Sequence, residues 1–463
     1  MSGTSDGSVL PDAEYLVLSS RLIPDLDGGY TIATLARARQ LTDAGADPVL
    51  LTFDPADAAA HAGHRETFEQ RGAIDDPARL RNLFDEAVSP AGGAAAWLRD
   101  AASAGLSQGV GDREYRMLRD AAGRPFAALP VIPANPDWHL TDEPVLVYDR
   151  DARVTGGVAG FRGLYRAWLE HVTAKFEDRP LVVICESRQL GELIADWSDP
   201  RVRIIHTIHT MHLEAPYTPD ASLNPLWTRW FALADRFDAV AWPTPRQRDD
   251  VVARFGDGIR SVVVPNGIEP PEASSGQPEP GLVVSLSRLA PGKRIDHVIR
   301  AFLAADVPGS TLEIWGDGPA RRGLEELIAE LGCADRVRMC GITSDPDAVL
   351  ERASVVVSAS AFEGQGLSLA EALAHARPVV SYDVRYGPGD LLAGGGGLLV
   401  SDGDETAFAD ALRRVLTDDE FRARLADEAP AAGSPWTSER TIEALTATVR
   451  DVAAAPSRRI ASV

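Results

Sequence analysis

Cysteine is scarce, with Cys185, Cys333 and Cys340 the three in 463 residues. Their odd number, at spacings that fit neither a zinc site nor a disulfide framework, excludes a stapled scaffold and suits a reducing compartment, with core packing their plainest role. No apolar stretch approaches the length of about 18 residues that a membrane-spanning helix needs, although peripheral membrane contact stays open. The start, Met1 to Glu14, is small and acidic. It lacks the basic head and apolar run of a signal peptide, so a cytoplasmic protein is expected. Positive charge is also short, because 46 Lys and Arg against 68 Asp and Glu leave a formal charge of -22. Nucleic acid is therefore not an expected partner, and any anionic ligand needs a local basic patch.

What remains is ordinary globular material, 45% hydrophobic and 25% charged, with a length that predicts two sizeable α/β domains and room for an insertion. Short β-branched or apolar runs alternate with helical patterns, as in parallel sheets covered on both faces. In the first half these runs are Tyr15 to Ser20, Pro48 to Thr52, Leu181 to Cys185, Val202 to His206, Asp238 to Trp242 and Ser261 to Val264. In the second half they are Leu282 to Ser287, Thr311 to Trp315, Val337 to Cys340, Ser354 to Ser358, Pro378 to Tyr382 and Gly397 to Val400. The Pro, Ser, Gly and Glu content of Glu269 to Gly281 reads as an exposed linker. The expected division is a domain over 1–275, a second over 276–435, and a final helix and tail over 436–463. From about Arg71 to Phe161 the rhythm breaks, and Pro144 to Ala152 reads as hairpin, so a β-rich insertion is expected there. The last residues, Ala453 to Val463, read as a frayed tail.

The strongest chemical signal is Phe362-Glu363-Gly364-Gln365-Gly366-Leu367-Ser368-Leu369-Ala370-Glu371-Ala372, directly after a predicted strand. If the glycines open a helix, the free N–H groups of Gly366, Leu367 and Ser368 form an anion site suited to a diphosphate. Glu363 and Glu371 are then separated by about 12 Å at 1.5 Å per residue, comparable to the reach from a donor sugar to its ribose. A solvated loop carboxylate plus an ordinary helix carboxylate fits the same residues taken alone. Next is Ser287-Arg288-Leu289-Ala290-Pro291-Gly292-Lys293-Arg294, after the first strand of the second domain, where open α/β sheets bind ligands. Arg288 offers a planar fork and Lys293 a point charge, enough to neutralise a diphosphate without a metal, while a basic surface loop is the plainer alternative. Gly316-Asp317-Gly318-Pro319 gives a tight turn on the same sheet edge. Ile342 follows the next strand, where an apolar side chain could lie against a base.

In the first domain Asp27-Gly28-Gly29-Tyr30 is a glycine-rich loop before the helical pattern Thr31 to Ala44, and Gly28 and Gly29 could approach a phosphate. His206, His209 and His212 lie at and after a strand end. No Glu-flanked zinc motif accompanies them, so a histidine near the reacting centre, His209 or His212, is preferred to a metal site. Asp345-Pro346-Asp347 mimics an Asp-x-Asp metal motif but reads as a helix cap. No metal and no resident cofactor are expected.

These motifs together, over about Leu282 to Leu416, resemble glycosyltransferase family 4, retaining enzymes of the two-domain GT-B fold. Ile208-His209-Thr210-Met211-His212, the inserted region and Tyr382-Asp383-Val384-Arg385-Tyr386-Gly387-Pro388 look like the branch that glucosylates wall teichoic acid and adds N-acetylglucosamine to Ser-rich proteins. The resemblance implies two Rossmann-like domains facing a cleft and a nucleotide sugar, expected to be a UDP-sugar, as co-substrate. It implies that Arg288 and Lys293 bind the diphosphate, Glu363 contacts the donor sugar, Glu371 holds the ribose, and Gly28 and Gly29 line the cleft. His209 would lie near the transferred sugar, and the final helix would cross back to the first domain. The acceptor would be a polymer, a glycan or a protein hydroxyl, and the insertion could pair with its own copy to form a homo-oligomer. Two departures stand out. Gly394 to Gly397 replaces an Asn-Gly turn, and a charge of -22 suits a polyanionic acceptor poorly. The alternative classes are a non-catalytic partner subunit, and an epimerase or phosphorylase on the same fold.

Overall fold

The computed structural model describes residues 10–26, 28–55, 57–88, 96–107, 113–120, 122–135, 137–271 and 277–459. Asp27, residues 272–276 of the predicted linker, and parts of both termini lie outside the described residues. The chain begins with β1 (Glu14–Ser19), β2 (Val49–Thr52) and β3 (Leu80–Asn82), continues through β4 (Tyr115–Arg119), β5 (Pro125–Pro130), β6 (Val145–Tyr148) and β7 (Val154–Val158), and returns with β8 (Leu181–Cys185), β9 (Val202–Thr207), β10 (Ala239–Trp242) and β11 (Ser261–Val263). The second half supplies β12 (Leu282–Leu286), β13 (Thr311–Trp315), β14 (Val337–Gly341), β15 (Val355–Ser358), β16 (Val379–Tyr382) and β17 (Gly397–Val400).

These strands make two parallel sheets, ordered β11-β10-β9-β8-β1-β2-β3 and β14-β13-β12-β15-β16-β17. The central strands are buried from end to end, as in Leu181–Cys185, because helices cover both faces and the runs need no polar alternation. Helix Gly160–Ala174 shows how a cover forms. Phe161, Leu164, Tyr165, Trp168, Leu169 and Val172 recur at helical spacing and are all buried in the first domain's core, each contributing ~1.5–3 kcal/mol of apolar burial.

The insertion is an antiparallel sheet, β4-β5-β6-β7. Its hairpin at Asp149–Arg153 is closed by Asp149 Oδ1, which accepts from the N–H groups of Asp151 and Arg153 at 2.9 Å each. The region predicted as insertion also contains β3, which pairs in parallel with β2 and so belongs to the main sheet. Helix Ser438–Ala454 buries Leu445, Val449 and Val452 in the first domain's core, although it follows the second domain in sequence. The predicted frayed tail is instead tied down as far as it is described. Arg459, 7% exposed, pairs with Asp238 at 2.7 Å and donates to the carbonyls of Trp197 and Val202 at 2.8 Å each. A buried guanidinium with its donors satisfied holds this segment in place. Among the described residues no helix is long and apolar enough to cross a membrane.

Candidate functional site

The loops after β12 and β13 are zipped together by their backbones, with Ser287 N–H donating to Trp315 O at 3.0 Å and Leu289 N–H to Asp317 O at 2.8 Å. Gly316 makes the approach possible. Its φ is +128°, and a methyl group there would fall 1.9 Å from the carbonyl oxygen of Ser287, so only glycine fits. Arg288 leaves this rigid base exposed to solvent and carries no ion pair among the described residues. Further along, Ala361 N–H donates to Gly292 O at 2.8 Å, and Lys293 Nζ donates to Glu363 Oε1 at 2.6 Å. The basic loop and the first carboxylate of the Glu363-to-Glu371 motif therefore meet.

Glu363 is fixed in turn, its N–H donating to Arg385 O at 3.1 Å and its carbonyl accepting from Tyr386 N–H at 2.9 Å. Gly366, left-handed at φ 90°, precedes helix Leu367–Ala374 without a side-chain cap. The N–H groups of Leu367 and Ser368 thus stand at an uncapped positive helix end on the carboxyl side of β15, suited to an anion. Glu371 lies one turn into the helix, partly buried. Burial, with the charge of Asp347 adding to it, pushes its carboxyl up to about 7. Ile342 follows β14 and is 57% exposed, an apolar side chain left uncovered beside the Gly316 turn, whose N–H donates to Gly341 O.

The first domain closes over these groups. A methyl on Gly29 would touch Leu367 Cδ1 at 3.4 Å, and one on Gly364 would fall 2.3 Å from the carbonyl oxygen of His209. Gly28 caps helix Gly29–Asp43 at φ 51°, again without a side-chain hydrogen bond. Tyr30 sets its ring edge-on to His209 with centroids 5.3 Å apart and hydrogen-bonds Ser19 Oγ at 2.7 Å. His209 Nε2 lies 2.5 Å from Glu186 Oε2. Burial alone would raise the Glu186 carboxyl, but the hydrogen bond and charge of His209, with Arg37 and Thr207, lower it to about 2.

The other two histidines are elsewhere. His206 is buried among Trp230 and Phe237, and burial pushes it down to about 3. His212, 1% exposed, stacks on Tyr386 of the second domain and is pushed down to about 4 by burial and by the charge of Arg254. It serves as packing between the domains. Asp345 accepts from Ala348 N–H as the cap of helix Pro346–Arg352. Among the described residues there is no group of three or more His, Cys, Asp or Glu side chains placed to hold a metal ion.

Residue reasoning missed Glu186, which carries no motif, and Gln365, whose amide grips the backbone of Asn266 from both sides at 2.7 and 2.9 Å. Its place between two site glycines was the available signal.

Two parallel-sheet domains meeting through the loops at their carboxyl edges, with the last helix returned to the first domain, define the GT-B class. Solved structures agree on the fold. The pneumococcal O-GlcNAc transferase GtfA in complex with UDP and GlcNAc superimposes with a TM-score of 0.74 at 16% identity, over 96% of this chain and 99% of that one. A point mutant of S. aureus TarM, in complex with Fondaparinux, alpha-GlcNAc-glycerol and UDP, gives a TM-score of 0.73 at 18% identity, over 94% and 99%. Residues 144–271 match the model of Glycosyltransferase Family 4 and residues 270–432 that of Glycosyl transferases group 1. The two family models together span residues 144–432, so the chain carries both halves of a GT-B glycosyltransferase. Curated relatives include an Exopolysaccharide phosphotransferase of Streptomyces coelicolor, 32% identical over 51% of this chain and 25% of its own length. The Poly(ribitol-phosphate) alpha-N-acetylglucosaminyltransferase of Staphylococcus aureus is 30% identical over 42% of this chain and 40% of its own length. The Poly(glycerol-phosphate) alpha-glucosyltransferase of Bacillus subtilis is 27% identical over 58% and 40%. The chain thus spans between a quarter and two fifths of the length of these three.

Proposed function

We propose that this protein transfers a hexose or N-acetylhexosamine from a UDP-sugar to a hydroxyl of a polymer, glycan or protein, with retention at the anomeric carbon and without a metal. One observation carries the reading. Arg288, Lys293 and Glu363 lie on loops at the carboxyl ends of β12 and β15, Glu371 lies in the helix Leu367–Ala374 whose uncapped end follows the second of these loops, and Gly364 abuts His209 across the cleft. On this reading Arg288, Lys293 and the helix end take the diphosphate, neutralising the charge that grows as the glycosidic bond breaks. Glu363 binds sugar hydroxyls, Glu371 the ribose, and Ile342 the base. His209 faces the transferred sugar from the first domain. The relatives named above as poly(ribitol-phosphate) and poly(glycerol-phosphate) transferases make a phosphate-rich polymer one candidate acceptor, although a net charge of -22 obliges such a polymer to find a local basic surface.

The test is nucleotide release from a panel of UDP-, GDP- and ADP-sugars, with and without EDTA, together with UDP binding by Arg288→Ala. Release from a UDP-sugar in EDTA, with binding lost in the variant, is expected. Parent-like UDP binding by Arg288→Ala overturns the site, and activity lost in EDTA and restored by manganese overturns the metal-free mechanism. A homo-oligomer through the insertion has its own support, since β4 ends its sheet and exposes Met117, and an open strand edge invites a second copy. Light scattering that finds a monomer at working concentration would remove it.

A further inference from the structure

Glu186 and Arg37 are both buried, at 2% and 1% exposure. Each ion costs several kcal/mol to desolvate, so their partners show what they hold in place. Glu186 stands just past the carboxyl end of β8, where Oε2 accepts from Thr207 Oγ1 and lies 2.5 Å from His209 Nε2. Its other oxygen is 3.5 Å from Arg37 Nε. The Arg37 guanidinium reaches on to Pro265 O at 3.4 Å and Asn266 Oδ1 at 3.4 Å. Asn266 is the residue whose backbone N–H and carbonyl are both held by the Gln365 amide. Gln365 sits two residues after Glu363. One buried polar chain therefore runs from the loop of Glu363, through the crossover between the domains, to His209. Its middle links are the longest and its two ends the shortest.

We infer that Glu186 is a positioning residue for the reaction. It draws the Nε2–H of His209 inward, leaving Nδ1 as the imidazole atom available to the cleft, while Arg37 keeps Glu186 ionised and ties that setting to the interdomain crossover. A carboxylate on one ring nitrogen fixes both the tautomer and the orientation of the other. Among the described residues the groups facing the His209 ring are Glu186, Thr207 and the edge of Tyr30, and Glu186 is the one charge of the three. The effect on turnover rests on the proposed transferase reading; the effect on the imidazole does not.

The experiment uses the full chain. Nitrogen-15 imidazole spectra identify His209 among the nine histidines by its disappearance in His209→Gln, and the same samples give nucleotide-sugar affinity, kcat and KM. In Glu186→Gln the His209 ring is expected to leave the Nε2–H form for a mixture of tautomers. Donor affinity should stay within about twofold of the parent and kcat should fall about 10- to 100-fold at unchanged donor KM. Glu186→Asp keeps the charge but retracts it by one methylene, and it serves where the amide variant fails to fold. In it a displaced Nε2 resonance with partial kcat supports the assignment. Parent-like His209 resonances in whichever variant folds overturn the positioning role. A parent that turns over no nucleotide sugar overturns the transferase reading instead, with the spectra still deciding the Glu186–His209 link.

Discussion

If Glu371 holds a ribose, donor affinity must depend on pH through its carboxyl. In the free protein burial and Asp347 push this carboxyl up to about 7 from 4.5, so below pH 7 it carries a proton. A vicinal diol that donates two hydrogen bonds favours the ionised form, and binding must expel that proton. The sign follows: the folded pKa is raised, so affinity is full above about 7 and weakens as pH falls through it. With the bound carboxyl returned to near 4.5, affinity at pH 5.5 is lower than at pH 8.5 by about 30-fold, or ~2 kcal/mol. The same shift penalises the charged fold, so stability in the absence of ligand should fall as pH rises from 4.5 to 7, by at most ~3 kcal/mol. The assay is calorimetric titration with an intact UDP-sugar, because free UDP has a terminal phosphate that itself titrates near 6. Glu371→Gln should bind with little pH dependence, weaker than the parent at pH 8.5 and similar to it at pH 5.5. An equal pH slope in parent and variant would refute both the ribose assignment and the reasoning from burial.

Three further outcomes are expected. Gly364→Ala places a methyl 2.3 Å from the His209 carbonyl and should hold the domains apart. It should lower kcat about 100-fold and raise the radius of gyration in small-angle scattering, with unfolding unchanged because each sheet keeps its own core. Lys293→Met removes the partner of Glu363 and a cation from the proposed diphosphate site, so UDP affinity should weaken by ~1.5–3 kcal/mol by calorimetry. Arg459→Ala leaves Asp238 buried without its guanidinium, and urea unfolding should show a loss of about 3–5 kcal/mol. A loss below about 1 kcal/mol would mean that water replaces the arginine.

The half of the candidate site that is legible in the sequence is the half built from short-range geometry. Gly316 and Gly366 are legible because a loop leaving a buried strand needs positive φ within a few residues, and Arg288, Lys293 and Glu363 on the loops and Glu371 on the helix after them follow at fixed offsets. Strand β3 escapes because Leu80–Asn82 is three residues long with an arginine at its centre, and no alternation can register over that length. The tail escapes because the groups that hold Arg459 come from positions 197, 202 and 238, far away in sequence and mostly backbone carbonyls. Glu186 escapes for the same reason, since a lone carboxylate after a strand means nothing until β9 brings His209 beside it. The two kinds of residue have different physical tasks. A diphosphate is bound by local backbone shape and a few charges, and such a device can be written within one stretch of chain. On the proposed reading, orienting a reacting group against a sugar held by the other domain requires contacts across sheets and across the crossover, so the first-domain side is specified by packing. Substitutions there should change turnover at constant donor affinity, and those in the Arg288 and Glu363 loops should change donor affinity first.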